Sequence, residues 1–222
     1  MEETLKIVDS ENIVHWKLNS KQKSEKLIIF VHWLWWNINE HIFFNWYKFF
    51  NDKWFDTFRI DLYREINLTN NTIANQIKDL ELTINYFKDK YDEIYLIWHS
   101  LWWPIILLSD LSHIKKIVLR DPCLNTKMSL KDELKYSDHY IYVSWWMDII
   151  IWDQMEQEIL SIWDLNERLN NKVKLIYASN KKLFAELSKM DIEYDFVKDS
   201  DHPFRNEWNL EELFEKTFNY LQ

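Results

Sequence analysis

The 222-residue chain contains no glycine and 14 tryptophans, and this restricts its fold more than any other feature of the sequence. Average usage predicts about 15 glycines in a chain of this length. Glycine adopts positive φ angles without a steric penalty, so tight turns must be made here by residues that carry a Cβ atom. The tryptophans occur in pairs and in predicted turns, as at Trp35-Trp36, Trp54 and Trp208. We therefore interpret them as replacements for glycine in a parental sequence.

Apolar runs of strand length recur along the chain. The run at 26–32, K-L-I-I-F-V-H, has a continuous apolar centre, which is typical of a strand buried on both faces of a sheet. Segment 5–18 predicts an antiparallel hairpin at the edge of the same sheet. Further strands are predicted at 57–62, 93–97, 116–119, 173–177 and 194–197.

Segments with helical periodicity alternate with these strands. Helices are predicted at 42–51, from near Leu101, and at 183–190. The clearest repeat, with Asn71 as its N-cap, consists of Ile73, Ile77, Leu80, Ile84 and Phe87. A final helix has one apolar face, made of Leu210, Leu213, Phe214, Phe218 and Leu221. The alternation predicts an α/β fold, a mostly parallel sheet with helices on both faces.

The chain predicts a single domain, 1–222, with one irregular part. Segment 123–171 has a mixed and partly helical pattern without clear strands. It is either a cap insertion that covers the sheet above a substrate or an ordinary set of connecting helices.

The composition excludes several classes of protein. A formal charge of −9 argues against a nucleic-acid partner, because phosphate contacts need a basic surface. The single cysteine, Cys123, fits a reducing compartment, and no run approaches the roughly 18 apolar residues of a membrane span. We therefore expect a cytoplasmic protein. No metal-ligand spacing or phosphate-binding loop is present, so no cofactor is predicted.

The segment 94–103 reads I-Y-L-I-W-H-S-L-W-W. With glycine at Trp98 and Trp102 it becomes a strand, then G-H-S-L-G, then a helix. This resembles the nucleophile elbow of the α/β-hydrolase family, in which a serine projects from a strained turn between strand and helix. The resemblance implies that Ser100 is a nucleophile. The alternative is that Ser100 only caps the helix that follows.

A second motif, F-V-H-W-L-W-W at 30–36, resembles the H-G-x-G-G loop of the same family. That loop supplies one backbone N–H of the oxyanion hole, and the residue after the nucleophile supplies the other. The resemblance therefore implies that the N–H groups of Leu34 and Leu101 hold the oxyanion. It gives His32 and His99 structural roles.

The family order of serine, acid and histidine implies that His202 is the base. His202 lies in D-S-D-H-P-F, between the last predicted strand and the final helix. The loop at 178–182, where the family most often has its acid, contains no carboxylate. A variation of the family places the acid one strand earlier, and the resemblance then implies Asp121, which follows the strand at 116–119. It is either the third triad member or a turn residue before Pro122, in which case Ser100 and His202 form a dyad.

The resemblance implies a carboxylesterase-like or lipase-like enzyme. Its substrate would be a small-molecule ester or thioester with an apolar acyl group, cleaved through an acyl-serine intermediate. Tryptophan at the glycine positions of both motifs predicts loss of folding or activity, because glycine sites often need positive φ or a small side chain. The alternative is a non-catalytic binding protein on the same scaffold, since the usual acid position is empty.

Overall fold

A computed structural model describes residues 2–8, 13–20, 24–31, 41–62, 72–99, 103–122, 140–144, 147–151, 157–158, 161, 168–178, 192–202, 204 and 206–222. The helices described within these residues are α1 His41–Asp52, α2 Ile73–Phe87, α3 Trp103–Leu108 and α4 Glu207–Leu221. The strands are β1 Glu2–Val8, β2 Ile13–Asn19, β3 Lys26–Val31, β4 Asp56–Asp61, β5 Glu93–His99, β6 Ile114–Arg120, β7 Tyr140–Ser144, β8 Met147–Ile151, β9 Val173–Ala178 and β10 Glu193–Val197.

Eight of the strands form one sheet in the order β1-β2-β4-β3-β5-β6-β9-β10. Strand β2 pairs antiparallel with both of its neighbours, and every other pair in this sheet is parallel. All the predicted strands are present, and the predicted hairpin is β1–β2 at one edge. The expected α/β fold with a mostly parallel sheet is therefore confirmed.

The sheet is buried on both faces because its central strands are apolar at successive positions. In β3, Leu27 and Ile29 face one core while Ile28 and Phe30 face the other. Residues of α2 and α3 complete the first core, and residues of α1 and α4 complete the second. We call these two sides of the sheet the α2/α3 side and the α1/α4 side.

The N-cap of helix α2 lies one residue after the predicted N-cap, Asn71. The Thr72 hydroxyl accepts a hydrogen bond from the Asn75 N–H at 3.1 Å, and Thr72 has extended backbone angles. Thr72 is therefore the N-cap and the assignment of this role to Asn71 was wrong. Both residue types cap helices well, so their order along the chain did not decide between them.

Segment 123–171 has helical residues at 157–158 and 161, in agreement with the expected partly helical pattern, but it also contains two strands that were not predicted, β7 and β8. They form a separate antiparallel pair in which Ser144 lies opposite Met147, so two residues connect them. A two-residue connection is the commonest hairpin loop. The signal for it was missed because the connecting pair, Trp145-Trp146, is not a turn dipeptide, whereas Gly-Gly would be.

Among the described residues, Glu158 and Arg168 attach segment 123–171 to the helices α2 and α3. Glu158 accepts a bond from the N–H of Ile73, the first residue of α2, at 2.7 Å through Oε2. The Arg168 guanidinium donates to the Leu107 carbonyl in α3 at 2.9 Å. The cap interpretation of this segment and the single-domain assignment stay predictions, and the predicted helix at 183–190 lies outside the described residues. No helix in the described ranges is long and apolar enough to cross a membrane.

The described tryptophans occupy different kinds of backbone. Trp54 has φ 68° in the turn after α1 and is 68% exposed. Trp208 lies in the first turn of α4, after the N-cap Asn206, so the turn expected there was wrong. Trp46 and Trp98 are buried in α1 and β5, and their indole N–H groups have no hydrogen-bond partner among the described residues. The replacement of glycine by tryptophan stays a hypothesis, which the positive φ of Trp54 supports.

Exchange of Trp54 for glycine should stabilise the protein. We expect Trp54→Gly to raise the free energy of unfolding by about 1 kcal/mol, because a residue with a Cβ atom is strained at positive φ. The matched control is Trp208→Gly, at a site that is 79% exposed but helical, where glycine should lower stability by up to about 1 kcal/mol. Urea denaturation followed by circular dichroism measures both changes. Changes of the same sign would contradict the prediction.

Candidate active site

The ends of two neighbouring strands define the centre of the candidate site. Strands β5 and β6 are parallel, and His99 lies opposite Arg120 at their carboxyl ends. The next residues along the chain are Ser100 and Asp121. Ser100 lies outside the described residues, as do Leu34 and Leu101. The structure thus gives the position of the strand end that precedes Ser100.

Asp121 is held in one orientation by three hydrogen bonds. Its backbone N–H donates to the Ile176 carbonyl at 2.7 Å, and its Oδ1 accepts from the Ala178 N–H at 3.1 Å. Its Oδ2 accepts from His202 Nδ1. The backbone has φ 41°, in the left-handed region that aspartate tolerates better than most residues. The carboxylate is therefore fixed between strand β9 and the imidazole of His202.

The hydrogen bond between His202 and Asp121 defines the tautomer of the imidazole. A carboxylate only accepts hydrogen bonds, so Nδ1 of His202 carries the proton of this contact. In the neutral ring Nε2 is then the nitrogen that can accept a proton. The Asp121 side chain is 13% exposed and that of His202 is 39% exposed, so the imidazole is more accessible than the carboxylate.

The loop that carries His202 is held in place before and after the histidine, by a hydrogen bond from α4 before it and by the buried Phe204 ring after it. The Asn209 side chain in α4 donates to the Asp199 carbonyl at 3.2 Å. The N–H of Phe204 closes a turn onto the Asp201 carbonyl at 3.0 Å. Phe204 has φ 52° and is only 1% exposed. Positive φ is unusual for an aromatic residue, and we attribute its presence here to the burial of the ring.

His99, for which a structural role is expected, lies against this loop. Its ring centroid is 5.0 Å from that of His202 and 5.8 Å from that of Phe204. Burial lowers the pKa of His99 well below its ordinary value, and the charges of His202 and Arg120 lower it further. His99 is therefore neutral near pH 7.

The neighbouring Arg120 is buried on the same side of the sheet. It is 3% exposed, and among the described residues its Nε and Nη2 atoms have no hydrogen-bond partner. Its Cζ atom lies 2.6 Å from the centroid of the Trp46 ring. Burial lowers the pKa of Arg120 well below its ordinary value.

Of the predicted site residues that the structure describes, Asp121 and His202 are in contact. Their roles in a triad stay predictions, and the contact supports them. Asp199 and Asp201, the other carboxylates close to His202 in sequence, are exposed. Two features were missed by sequence reasoning: the Ala178 N–H that bonds Asp121, and the packing of His99 on His202. Neither has a sequence signal, because each depends on the pairing of strands that are distant along the chain.

The sheet order, its single antiparallel strand and the aspartate–histidine pair at its carboxyl edge define an α/β-hydrolase fold. The structure is similar to Est1E from Butyrivibrio proteoclasticus, with a TM-score of 0.78 and 14% identity over 98% of both chains. It is also similar to alpha/beta hydrolase domain-containing protein 10 from mouse (TM-score 0.71, 13% identity, 99% of this chain and 98% of that chain). A third similar structure is dienelactone hydrolase from Anabaena variabilis (TM-score 0.71, 10% identity, 100% and 96%). No protein-family model and no curated protein matches the sequence.

The buried, neutral His99 should make stability depend on pH. The unfolded chain protonates this histidine near its ordinary pKa of 6.5, whereas the folded protein resists protonation to lower pH. Below pH 6.5 the unfolded state therefore binds more protons, and the free energy of unfolding falls as the pH falls. We expect His99 to contribute on the order of 1 kcal/mol per pH unit there.

Urea denaturation between pH 7.5 and 5 measures this contribution as the difference between the protein and its His99→Phe variant. The difference is needed because other groups also titrate in this range. His202, Arg120 and Asp121, the ionisable groups around His99, are present in both proteins. Equal pH slopes in the two proteins would show that His99 is not held neutral.

Proposed function

We propose that this protein is a serine hydrolase that cleaves an ester or thioester through an acyl-serine intermediate. Ser100 is the nucleophile, His202 the base and Asp121 the acid. The observation that carries the proposal is the hydrogen bond from His202 Nδ1 to Asp121. It lies beside the end of β5, which Ser100 follows directly, and it leaves Nε2 as the nitrogen that can take the serine proton.

In the first half of the reaction the Ser100 hydroxyl oxygen attacks the acyl carbon while its proton passes to Nε2 of His202. The Asp121 carboxylate stabilises the imidazolium that forms. The N–H groups of Leu34 and Leu101 hold the oxyanion of the tetrahedral intermediate, an interaction worth several kcal/mol in such sites. Collapse of the intermediate breaks the bond to the leaving alcohol or thiol, which takes the proton from His202. Water then attacks the acyl-serine by the same steps and releases the acid.

The names of similar structures support hydrolysis and an apolar acyl group. They include an esterase domain from Rhodothermus marinus and a dienelactone hydrolase, and Est1E has been solved with ferulic acid bound. We propose a small or medium apolar acyl substrate by analogy with these proteins. In this proposal segment 123–171 covers the substrate, with Glu158 and Arg168 as its attachments to α2 and α3. A cytoplasmic location belongs to the same proposal.

Labelling with a fluorophosphonate probe tests the proposal against the non-catalytic alternative, because an activated serine reacts rapidly. The probe is applied to the protein, to its Ser100→Ala and His202→Ala variants, and to the glycine variant, in which all 14 tryptophans are replaced. We expect the glycine variant to be labelled at Ser100 and the protein with tryptophan at the elbow to react more slowly or not at all. Either substitution at Ser100 or His202 in the glycine variant should abolish rapid labelling. A folded glycine variant that does not react would favour a binding protein.

Replacement of Asp121 by asparagine tests the acid. In the glycine variant, Asp121→Asn keeps the shape of the side chain but removes the charge that fixes the imidazole tautomer. We expect kcat for an ester substrate to fall by about a hundredfold or more.

The matched control is Asp199→Asn. Asp199 is exposed, precedes His202 by three residues and has φ 53°, a backbone angle that asparagine also tolerates. We expect its kcat to stay within about twofold, because loss of an exposed charge is a small effect. An unchanged kcat in a folded Asp121→Asn protein would exclude Asp121 and leave a serine–histidine dyad.

A further inference from the structure

His99 makes a contact with the His202 loop that the proposed reaction does not use. The ring is on the α1/α4 side of the sheet, the side to which β5 also contributes Tyr95 and Ile97. It is 8% exposed and packs against two residues of one loop: His202 at 5.0 Å with an interplanar angle of 42°, and Phe204 at 5.8 Å with an angle of 72°.

This contact restrains the imidazole in a way that Asp121 cannot. A single hydrogen bond at Nδ1 fixes one atom of the ring but permits the ring to tilt and turn about that bond. Packing of the His99 ring on the imidazole opposes such movement, because interior groups are close-packed. The contact between His99 and Phe204 also holds the loop that carries His202 against the end of β5.

We propose that His99 is a positioning residue that sets the distance between the end of β5 and the imidazole of His202. Because Ser100 is the next residue, the same contact sets the separation of nucleophile and base. The inference rests on the proposed function. His99 acts through the orientation of the His202 ring, on which it packs.

The chemistry of the site favours an uncharged ring at this position. A cation at residue 99 would lie beside two positive groups, Arg120 on β6 and the imidazolium of His202 that forms during the proposed reaction. Burial keeps His99 neutral. A phenyl ring should therefore replace it, whereas an aliphatic side chain should not.

The test compares His99→Phe with His99→Val, two apolar substitutions that suit a buried strand. Both substitutions are made in the original chain or in the glycine variant, depending on which of the two reacts with the fluorophosphonate probe. If neither reacts, the original chain is used as the background. We expect kcat to fall by about tenfold or more in His99→Val with KM within about twofold, since small misplacements of reacting groups are costly. His99→Phe should keep kcat within about threefold of its background.

The control for general destabilisation is Phe87→Leu. Phe87 is buried in α2 on the α2/α3 side and packs on Phe58 at 4.7 Å, so its loss should lower stability and leave kcat unchanged. A fall in kcat in this control as large as that in His99→Val would show that the effect is not specific to position 99.

A spectroscopic readout separates this inference from the proposed function. The Nδ1 proton shared by His202 and Asp121 has its own NMR resonance, which broadens when the imidazole moves and exchanges with water. We expect this resonance to be sharp in the background protein and in His99→Phe and to be broadened or lost in His99→Val. A sharp resonance with unchanged kcat in His99→Val would overturn the positioning role. A broadened resonance in a protein without hydrolase activity would retain the packing role and reject the proposed function alone.

Discussion

The parallel hydrogen-bond ladder of β5, β6 and β9 is the constraint on which the candidate site depends. Parallel strands end at the same edge of a sheet, so residues that follow them meet although they are far apart in sequence. Here the ladder places Asp121, after β6, within reach of the Ala178 N–H at the end of β9. The loop after β10, the next strand, then brings His202 to the same carboxylate. A shift of register by one residue would move the Asp121 side chain to the opposite face.

The backbone of Asp121 is strained, and hydrogen bonds to its side chain offset that strain. A left-handed backbone costs a residue with a Cβ atom roughly 1–2 kcal/mol, and Asp121 has φ 41°. Hydrogen bonds to a charged group contribute about 1.5–3 kcal/mol each, so the bonds from Ala178 and His202 together outweigh that strain. The two bonds tie this conformation to the β9 ladder through Ala178 and to the loop that carries His202.

The parts of the fold that were predicted correctly are those encoded in local pattern. Strands buried on both faces are continuous apolar runs, as in β3 and β5, and the apolar repeat of α2 marks one face of a helix. The β7–β8 hairpin was missed because its signal lies in the turn, and tryptophan pairs conceal it. In the site, His202 could be predicted because it lies between the last strand and the final helix. The contact of Asp121 with the Ala178 N–H could not be predicted from the sequence, because it depends on the pairing of β6 with β9, which is a non-local property.

The two polar residues beside the site, Arg120 and His99, are buried at different costs in stability. The effective penalty for a buried ion is several kcal/mol, and the Nε and Nη2 atoms of Arg120 have no hydrogen-bond partner among the described residues. Arg120 is therefore a net cost at the end of the strand that leads into Asp121. His99 avoids the same cost by remaining neutral, because an imidazole releases its proton far more easily than a guanidinium. The two neighbours occupy equivalent positions on adjacent strands, and the neutral one, His99, is the one that packs on the His202 ring.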